Sequence, residues 1–351
     1  MRVKLALLSL PLALIATFTA PTYAAQSWTL AALESQTLVW TPCDTGFQCA
    51  HFKVPVDYKH IDSNTITIQA IKHVANKPAS LQEAGELAAQ MRWKSYISNG
   101  LSSYDELRNI PGVPGTSRLS PHLRWGEIHP RTLLSQLNQT SAHQIFRKEI
   151  AWREFYADVL HNYPHTSRSY YSPNFAAMRY DQPAEQFSAW CKGMTGYPIV
   201  DAAMRQLRLE GWMHNRTRMV VASFLVKDLH IEWKYGANYF MKFLIDNDVA
   251  SNSHGWQWTA GCGPDASPYY RVFNPIEQGR RFDPEGNYIR KYVPELRHLT
   301  APDIHTPWEV LDGYLHGYPA PIVDHALERL ESLARLEEIK AAKEPYPHLR
   351  A

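Results

Sequence analysis

Gly211-Trp-Met-His-Asn-Arg216 and Gly255-Trp-Gln-Trp258 are the stretches on which the reading of this chain turns. Both fall within one compact, helix-patterned region, Gly193 to Trp258, that crowds indole rings beside fixed polar groups. Indole is a large, flat, easily oxidised surface, so it stacks on a base or another planar ring and can pass an electron. Eleven tryptophans in 351 residues exceed what core packing alone requires. The length allows two domains and a sizeable core. The formal charge of +2 leaves basic and acidic side chains nearly balanced, so a nucleic-acid partner must be argued from local clusters rather than from net charge.

The first residues belong to a different argument. Arg2 and Lys4 precede an apolar run from Leu5 to Phe18, and small residues follow at Ala24 and Ala25, the layout of a secretory signal peptide over residues 1–25. The run is too short to span a bilayer comfortably, so no membrane association beyond the signal peptide is expected. A buried strand or an uncleaved anchor is the alternative. Export would place Cys43 and Cys49 in an oxidising compartment, where a short-loop disulfide is the expectation. From Trp40 to Val74 the pattern has a period of two, clearest in Phe52 to Tyr58 and Thr65 to Ile71, which predicts strands. No G-x-S-x-G elbow follows, so a hydrolase nucleophile is missing.

After Pro78 the period lengthens to that of a helix, placing a domain boundary within residues 77–84. Helices are predicted over Leu87–Ser98, Pro121–Leu137, Gln144–Leu160, Ile199–Leu209 and Thr217–Leu229. Ser120 before Pro121 reads as a helix cap, and with Thr116, Ser117, Arg118 and Leu119 it forms a turn able to hold a phosphate, although an ordinary capped helix has the same pattern. Asp246-Asn247-Asp248 offers carboxylates to hydroxyl or ring N–H groups, with a solvated helix end as the alternative. Glu149 and Trp152 share one helix face. No Cys/His cluster has metal-ligand spacing, so no metal is expected.

Taken together, Thr116 to Ser120, Trp152-Arg-Glu-Phe-Tyr156, Gly211 to Arg216 and Gly255 to Trp258 resemble the flavin-binding domain of the DNA photolyase and cryptochrome family, nearest its bacterial class I cyclobutane-dimer branch. The resemblance runs from about Gly85 to about Asp324 and implies a mainly α fold that binds FAD. It assigns Tyr104, Thr116, Ser117, Arg118, Leu119, Ser120, Phe146, Arg218, Asp246, Asn247, Asp248 and Asn252 to the cofactor. Glu149, Trp152, Asn215, Met219 and Trp258 match contacts to a flipped pyrimidine dimer. Arg108, Arg271 and the run Glu149, Ile150, Ala151, Trp152, Arg153, Glu154, Phe155, Tyr156 match DNA-contacting positions. Trp256, Trp233 and Tyr180 match a photoreduction relay, with tyrosine at an outer position where tryptophan is usual.

The resemblance also exposes departures. Residues 26–80 stand where the family carries an antenna domain, and they resemble the opening strands of secreted α/β-hydrolase peptidases, so the antenna chromophore is expected to be absent. The chain reads as a chimera: a genuine fusion, a misassembled gene or a damaged relic. Phe146 replaces a tryptophan, Asn247 replaces the usual glycine, and Ser253-His254 replaces Asn-Gly, where a side chain is expected to strain a turn and leave His254 half exposed in a loop. The resemblance implies a monomeric, light-driven lyase acting on pyrimidine dimers in DNA, with residues 85–351 as the active domain. The alternatives are a cryptochrome-like flavoprotein without repair activity and a non-functional chimera. A leader for export and chemistry on the chromosome point to different compartments.

Overall fold

The computed structural model describes residues 29–44, 47–57, 65–73, 81–264 and 270–341, and the expected signal peptide over residues 1–25 lies outside them. The chain divides into two units, Met1–Lys77 and Pro78–Ala351.

In the first unit, a short helix α1 (Leu30–Glu34), capped by Thr29, precedes β1 (Thr41–Asp44), β2 (Phe47–Pro55) and β3 (Thr65–His73). They form an antiparallel sheet in the order β1-β2-β3. β2 and β3 pair residue for residue from Phe47 opposite His73 to Pro55 opposite Thr65, whereas the β1 register shifts between Pro42 and Asp44. Pro55 closes β2, where its missing N–H interrupts no further ladder. Cys49 is buried and disulfide-bonded, and the side chain of Cys43 lies outside the described residues.

The second unit is helical: α2 (Glu86–Asn99), α3 (Tyr104–Leu107), α4 (Ser120–Arg124), α5 (Pro130–Leu134), α6 (Ser141–Asn162), α7 (Glu185–Lys192), α8 (Pro198–Glu210), α9 (Asn215–Ser223), α10 (Trp233–Phe243), α11 (Val249–Ala260), α12 (Pro275–Phe282), α13 (Asn287–Tyr292) and α14 (His325–Ala341). The fold is mainly α. Two apolar clusters organise it. One gathers Trp190, Met204, Leu207, Val221, Phe240 and Trp256 from α7 to α11. The other joins Ala89, Trp93 and Tyr96 of α2 to Ala142, Phe146 and Ile150 of α6, where a four-residue spacing aligns the α6 side chains on one face.

Several local expectations are corrected. The single helix expected over Pro121–Leu137 is two, because Gly126 adopts a left-handed conformation (φ 71°) and His129 is extended before Pro130. Ser120 is the first residue of α4 rather than its cap, a position taken by Leu119, and its hydroxyl accepts the Trp212 indole N–H (3.2 Å). The helix expected to Leu229 stays α only to Ser223 and then widens into a π-helical turn, Phe224–Asp228. Ser253 and His254 occupy no strained loop. Both are buried within α11, where a side chain costs no unusual backbone geometry.

Candidate functional site

The Gly211–Arg216 stretch makes the turn from α8 to α9. Gly211 takes the left-handed conformation (φ 63°) that ends α8, which suits a residue without a Cβ. Its carbonyl accepts the Ile245 N–H (2.8 Å), tying this turn to the Asp246 segment. His214 caps α9 by accepting the Arg216 N–H at Nδ1 (3.1 Å). Burial, then the surrounding guanidinium groups of Arg218, Arg216, Arg118 and Arg108, push His214 down to about 3, so the ring stays neutral and able to accept.

The Asp246 segment is clamped from α4 and α9. Trp125 donates its indole N–H to the Ile245 carbonyl (2.7 Å), and Arg124 donates Nε–H to that of Asn247 (3.0 Å). The Asn247 amide bonds the Met241 carbonyl (2.9 Å), and Asp248 caps α11 by accepting the Ser251 N–H (2.7 Å). Arg218 holds Asp246 Oδ2 at 2.7 Å, while the buried Oδ1 has no hydrogen-bond partner among the described residues. A buried carboxylate oxygen in that condition is an acceptor waiting for a donor.

α11 supplies the opposite wall. The Asn252 amide bonds the Ala237 carbonyl on α10 (3.0 Å). Trp256 lies so close to α10 that a Cβ on Gly236 would stand 2.1 Å from its ring. At Gly255, by contrast, an added Cβ meets nothing within 4 Å among the described residues. Across the space, Glu149 of α6 pairs with Arg108 at 2.6 Å. Trp152 is 41% exposed and packs edge-on to Phe155 and tilted against Tyr156. Trp258 is half-buried. These walls enclose a cavity of about 570 Å³ that runs between the two apolar clusters, with Phe146 and Ile150 on one side and Ala222, Phe240 and Trp256 on the other.

Residues 146–338 match the family described as the FAD binding domain of DNA photolyase. The chain belongs to this family. It is 44% identical over 270 residues to the deoxyribodipyrimidine photo-lyase of Agrobacterium fabrum, a match covering 73% of this chain and 56% of the relative. The Escherichia coli deoxyribodipyrimidine photo-lyase is 43% identical over 270 residues, covering 74% and 57%. A solved bacterial class III photolyase from Agrobacterium tumefaciens superposes with a TM-score of 0.70 at 44% identity, covering 73% of this chain and 56% of that one. The chain spans little more than half the length of these relatives.

The photolyase-type cavity brings together most of the residues singled out in the sequence. Tyr104, Ser117, Leu119, Ser120, Phe146, Arg218, Asp246, Asn247, Asp248 and Asn252 line it, as do Arg108, Glu149, Ile150, Trp152, Arg153, Tyr156, Asn215, Met219, Trp256 and Trp258. Others lie elsewhere. Thr116 is outside the lining, and the Arg118 guanidinium stacks over Trp212 (4.1 Å) and pairs with Glu210 instead of facing the cavity. The Arg118 backbone is also left-handed (φ 52°). Ala151, Glu154 and Phe155 are on α6 but not in the lining, and exposed Arg271 receives a bond from Lys227 at its carbonyl (2.5 Å). Trp233 and Tyr180 stand behind the wall, packed with the larger cluster. The sequence reading missed Asn109, Leu123, Arg124, Arg216, Ser251, Gly255 and Thr259 in the lining. Asn109 is there because its amide oxygen accepts from Arg216 (2.8 Å), a partnership across more than a hundred residues that no local pattern announces.

The residues present fit a flavin dinucleotide. The cavity is flanked by aromatic and aliphatic walls, open beside Gly255, and provided with hydroxyls at Ser117 and Ser120 and a buried acceptor at Asp246 that has no partner among the described residues. Among the described residues, no three His, Cys, Asp or Glu side chains gather to hold a metal ion, and no helix is long and apolar enough to cross a membrane.

Proposed function

We propose that this chain binds FAD in the cavity and uses light to split cyclobutane pyrimidine dimers in DNA. The observation that carries the reading is that two partly exposed indoles, Trp152 and Trp258, and the carboxylate of Glu149 line the same cavity as Asp246 and Asn252. Bound there in reduced form, FAD would supply the light-driven one-electron chemistry that opens the dimer ring.

The remaining work falls to the chain's own side chains. Asp246, fixed by Arg218, offers Oδ1 to a ring N–H, and Ser117 and Ser120 offer hydroxyls to phosphate. Extruding a dimer from duplex DNA costs a few kcal/mol, least for an already distorted lesion, and stacking on Trp152 and Trp258 offsets about 1–3 kcal/mol each. The Arg108–Glu149 pair keeps both side chains at the site, the guanidinium for a phosphate and the carboxylate for the base edges. Arg153 adds charge beside them. Asn215 and Met219 contact the dimer in this reading, Trp256 and Trp233 begin the photoreduction relay, and FAD itself absorbs the light. Residues 85–351 form the active domain, which acts as a monomer and needs none of residues 1–76.

The test is to purify the full chain and the 85–351 fragment, reduce the bound flavin, and illuminate each with a thymine-dimer oligonucleotide. Both proteins should be yellow and restore thymine absorbance in light but not in darkness. An action spectrum should follow reduced FAD. A folded, colourless chain removes the cofactor reading. A flavin-loaded chain that leaves the dimer intact removes the lyase reading in favour of a cryptochrome-like role.

A further inference from the structure

We propose that Tyr170, rather than Tyr180, is the terminal electron donor of the relay, and that the Glu232 carboxylate receives its proton. The inference rests on the Trp256–Trp233 relay of the proposed function and names the group that completes it.

Three relationships around Trp233 carry the argument. First, the Tyr170 ring stands edge-on to Trp233, with centroids 6.2 Å apart and planes at 80°. Tyr180 packs at the margin of the same cluster, and the ring contact to Trp233 is made by Tyr170. Second, the Trp233 indole N–H is buried without an acceptor among the described residues. A hole on Trp233 therefore has no neighbour to take the indole proton, remains cationic and strongly oxidising, and is passed on to the next ring. Third, the Tyr170 hydroxyl donates to Glu232 Oε1 at 2.6 Å. Glu232 immediately precedes Trp233 at the start of α10, so one turn of chain positions both the electron acceptor and the proton acceptor for Tyr170.

The charges favour a neutral product. Lys234 Nζ lies 4.8 Å over the Tyr170 ring and 2.8 Å from Glu232 Oε1. A positive charge above the ring opposes a second positive charge on it, so oxidation that keeps the phenolic proton is disfavoured and oxidation that releases it is not. Burial, helped by the neighbouring Tyr180 and Glu232, pushes the Tyr170 phenol far above its ordinary value, so the proton is present until the electron leaves. Tyr170 itself is buried, while Glu232 and Lys234 reach partly into solvent and give the proton an exit.

The step balances. The photoexcited flavin is the oxidant and keeps the electron lost by Trp256; Trp233 refills Trp256. Tyr170 then gives one electron to Trp233, its O–H bond breaks, and the proton passes to Glu232. The neutral phenoxyl radical is restored by a thiol in solution, which supplies one electron and one proton and is itself oxidised to a thiyl radical.

The experiment uses the full flavin-loaded chain under illumination without thiol, read by electron paramagnetic resonance and by mass-spectrometric mapping of a nitroso spin-trap adduct. Wild type and Tyr180→Phe should give a neutral tyrosyl signal with the adduct on the Tyr170 peptide. Tyr170→Phe should lose it and show a tryptophan radical instead. Glu232→Gln preserves an acceptor of similar shape without its basicity, and should lower tyrosyl yield and slow its formation. Retention of the signal in Tyr170→Phe, or an adduct on Tyr180, overturns the assignment. If Tyr170→Phe fails to hold flavin, Glu232→Gln decides, and an undiminished tyrosyl yield there overturns the proposal. A wild-type chain that forms a tryptophan radical but no tyrosyl sinks this inference alone, whereas one that binds no flavin or forms no radical sinks the proposed function with it.

Discussion

His254 lies flat against Tyr156, with ring centroids 5.6 Å apart and planes 12° apart. Tyr156 in turn faces Trp152 at 5.7 Å, so a ladder of three rings runs from the middle of α11 to the cavity wall on α6. His254 is fully buried and held at both nitrogens, with Nδ1 at the Ala250 carbonyl (2.8 Å) and Nε2 at Thr166 Oγ1 (2.9 Å).

His254→Ala is therefore expected to destabilise the chain by about 2–4 kcal/mol, the range for emptying a large buried site, and to weaken capture of a dimer by loosening Trp152. Urea unfolding and titration with a dimer-containing oligonucleotide measure the two effects. A change below the noise in both would mean that the ladder is mere contact. Burial also lowers the His254 pKa from its ordinary 6.5. The unfolded chain thus binds the proton more readily, and the stability that depends on a neutral ring is full above pH 6.5 and lost on acidification.

Asp246 gives a second prediction. Asp246→Asn keeps the shape but replaces a charge-assisted acceptor and weakens the bond to Arg218. Flavin affinity should fall by about 1.5–3 kcal/mol, the value of a hydrogen bond to a charged group, which is a loss of roughly ten- to a hundredfold. Fluorescence titration of the flavin-free chain is the measurement. Equal affinity would show that Oδ1 meets no part of the cofactor.

The site was legible wherever one short stretch supplies both the residue and its placement. Trp256 and Trp258, Asp246 and Asp248, and Glu149 with Trp152 all line the cavity because their own helix or turn puts them there. What the sequence hid depends on distant partners. Arg124 and Trp125 clamp the Ile245–Asn247 segment from more than a hundred residues away, and Arg118 is drawn off the cavity by Glu210 and Trp212. Ser253 and His254 misled for a local reason: a glycine in a comparable position suggests a turn, yet here the backbone is helical and a side chain is tolerated. The apolar spacing over Pro121–Leu137 continues through the break that a left-handed Gly126 and the extended residue before Pro130 impose, so periodicity alone reads two helices as one.

A pH prediction comes from the π-helical turn. Lys227 is buried there, donating to the Arg271 carbonyl (2.5 Å) and lying 4.0 Å over the Tyr270 ring, with Asp228 beside it and Cys262 nearby. Burial pushes its pKa from the ordinary 10.5 down to about 7. Between these values the unfolded chain binds more protons than the folded one, so stability contributed at this site rises with pH from about 7 to 10.5. Lys227→Met should remove that slope and be the more stable protein at pH 7 relative to wild type than at pH 10. Urea unfolding of the pair across this range isolates the lysine, because the tyrosines titrate in both proteins. Parallel stability curves would show that the carbonyl and ring contacts keep Lys227 charged at no cost.

Gly255 and Gly236 separate the cavity from the core with the same substitution. Both glycines are helical, so alanine gains about 0.5–1 kcal/mol of helix propensity at either position. At Gly236 the new methyl would meet Trp256 at 2.1 Å and Leu225 at 2.6 Å, and overpacking of that kind costs about 1–3 kcal/mol. At Gly255 it meets nothing within 4 Å among the described residues. Gly236→Ala should therefore destabilise the flavin-free chain, and Gly255→Ala should stabilise it slightly. Flavin binding reverses the ranking for Gly255→Ala, because its methyl projects into the space that the cofactor is proposed to fill, and affinity should drop by about 1–3 kcal/mol if the ring system packs there. Thermal unfolding with and without FAD reads both effects: the Gly255→Ala midpoint should exceed that of wild type without flavin and gain less when flavin is added. An equal gain in the two proteins would mean that FAD, if bound, does not reach this wall.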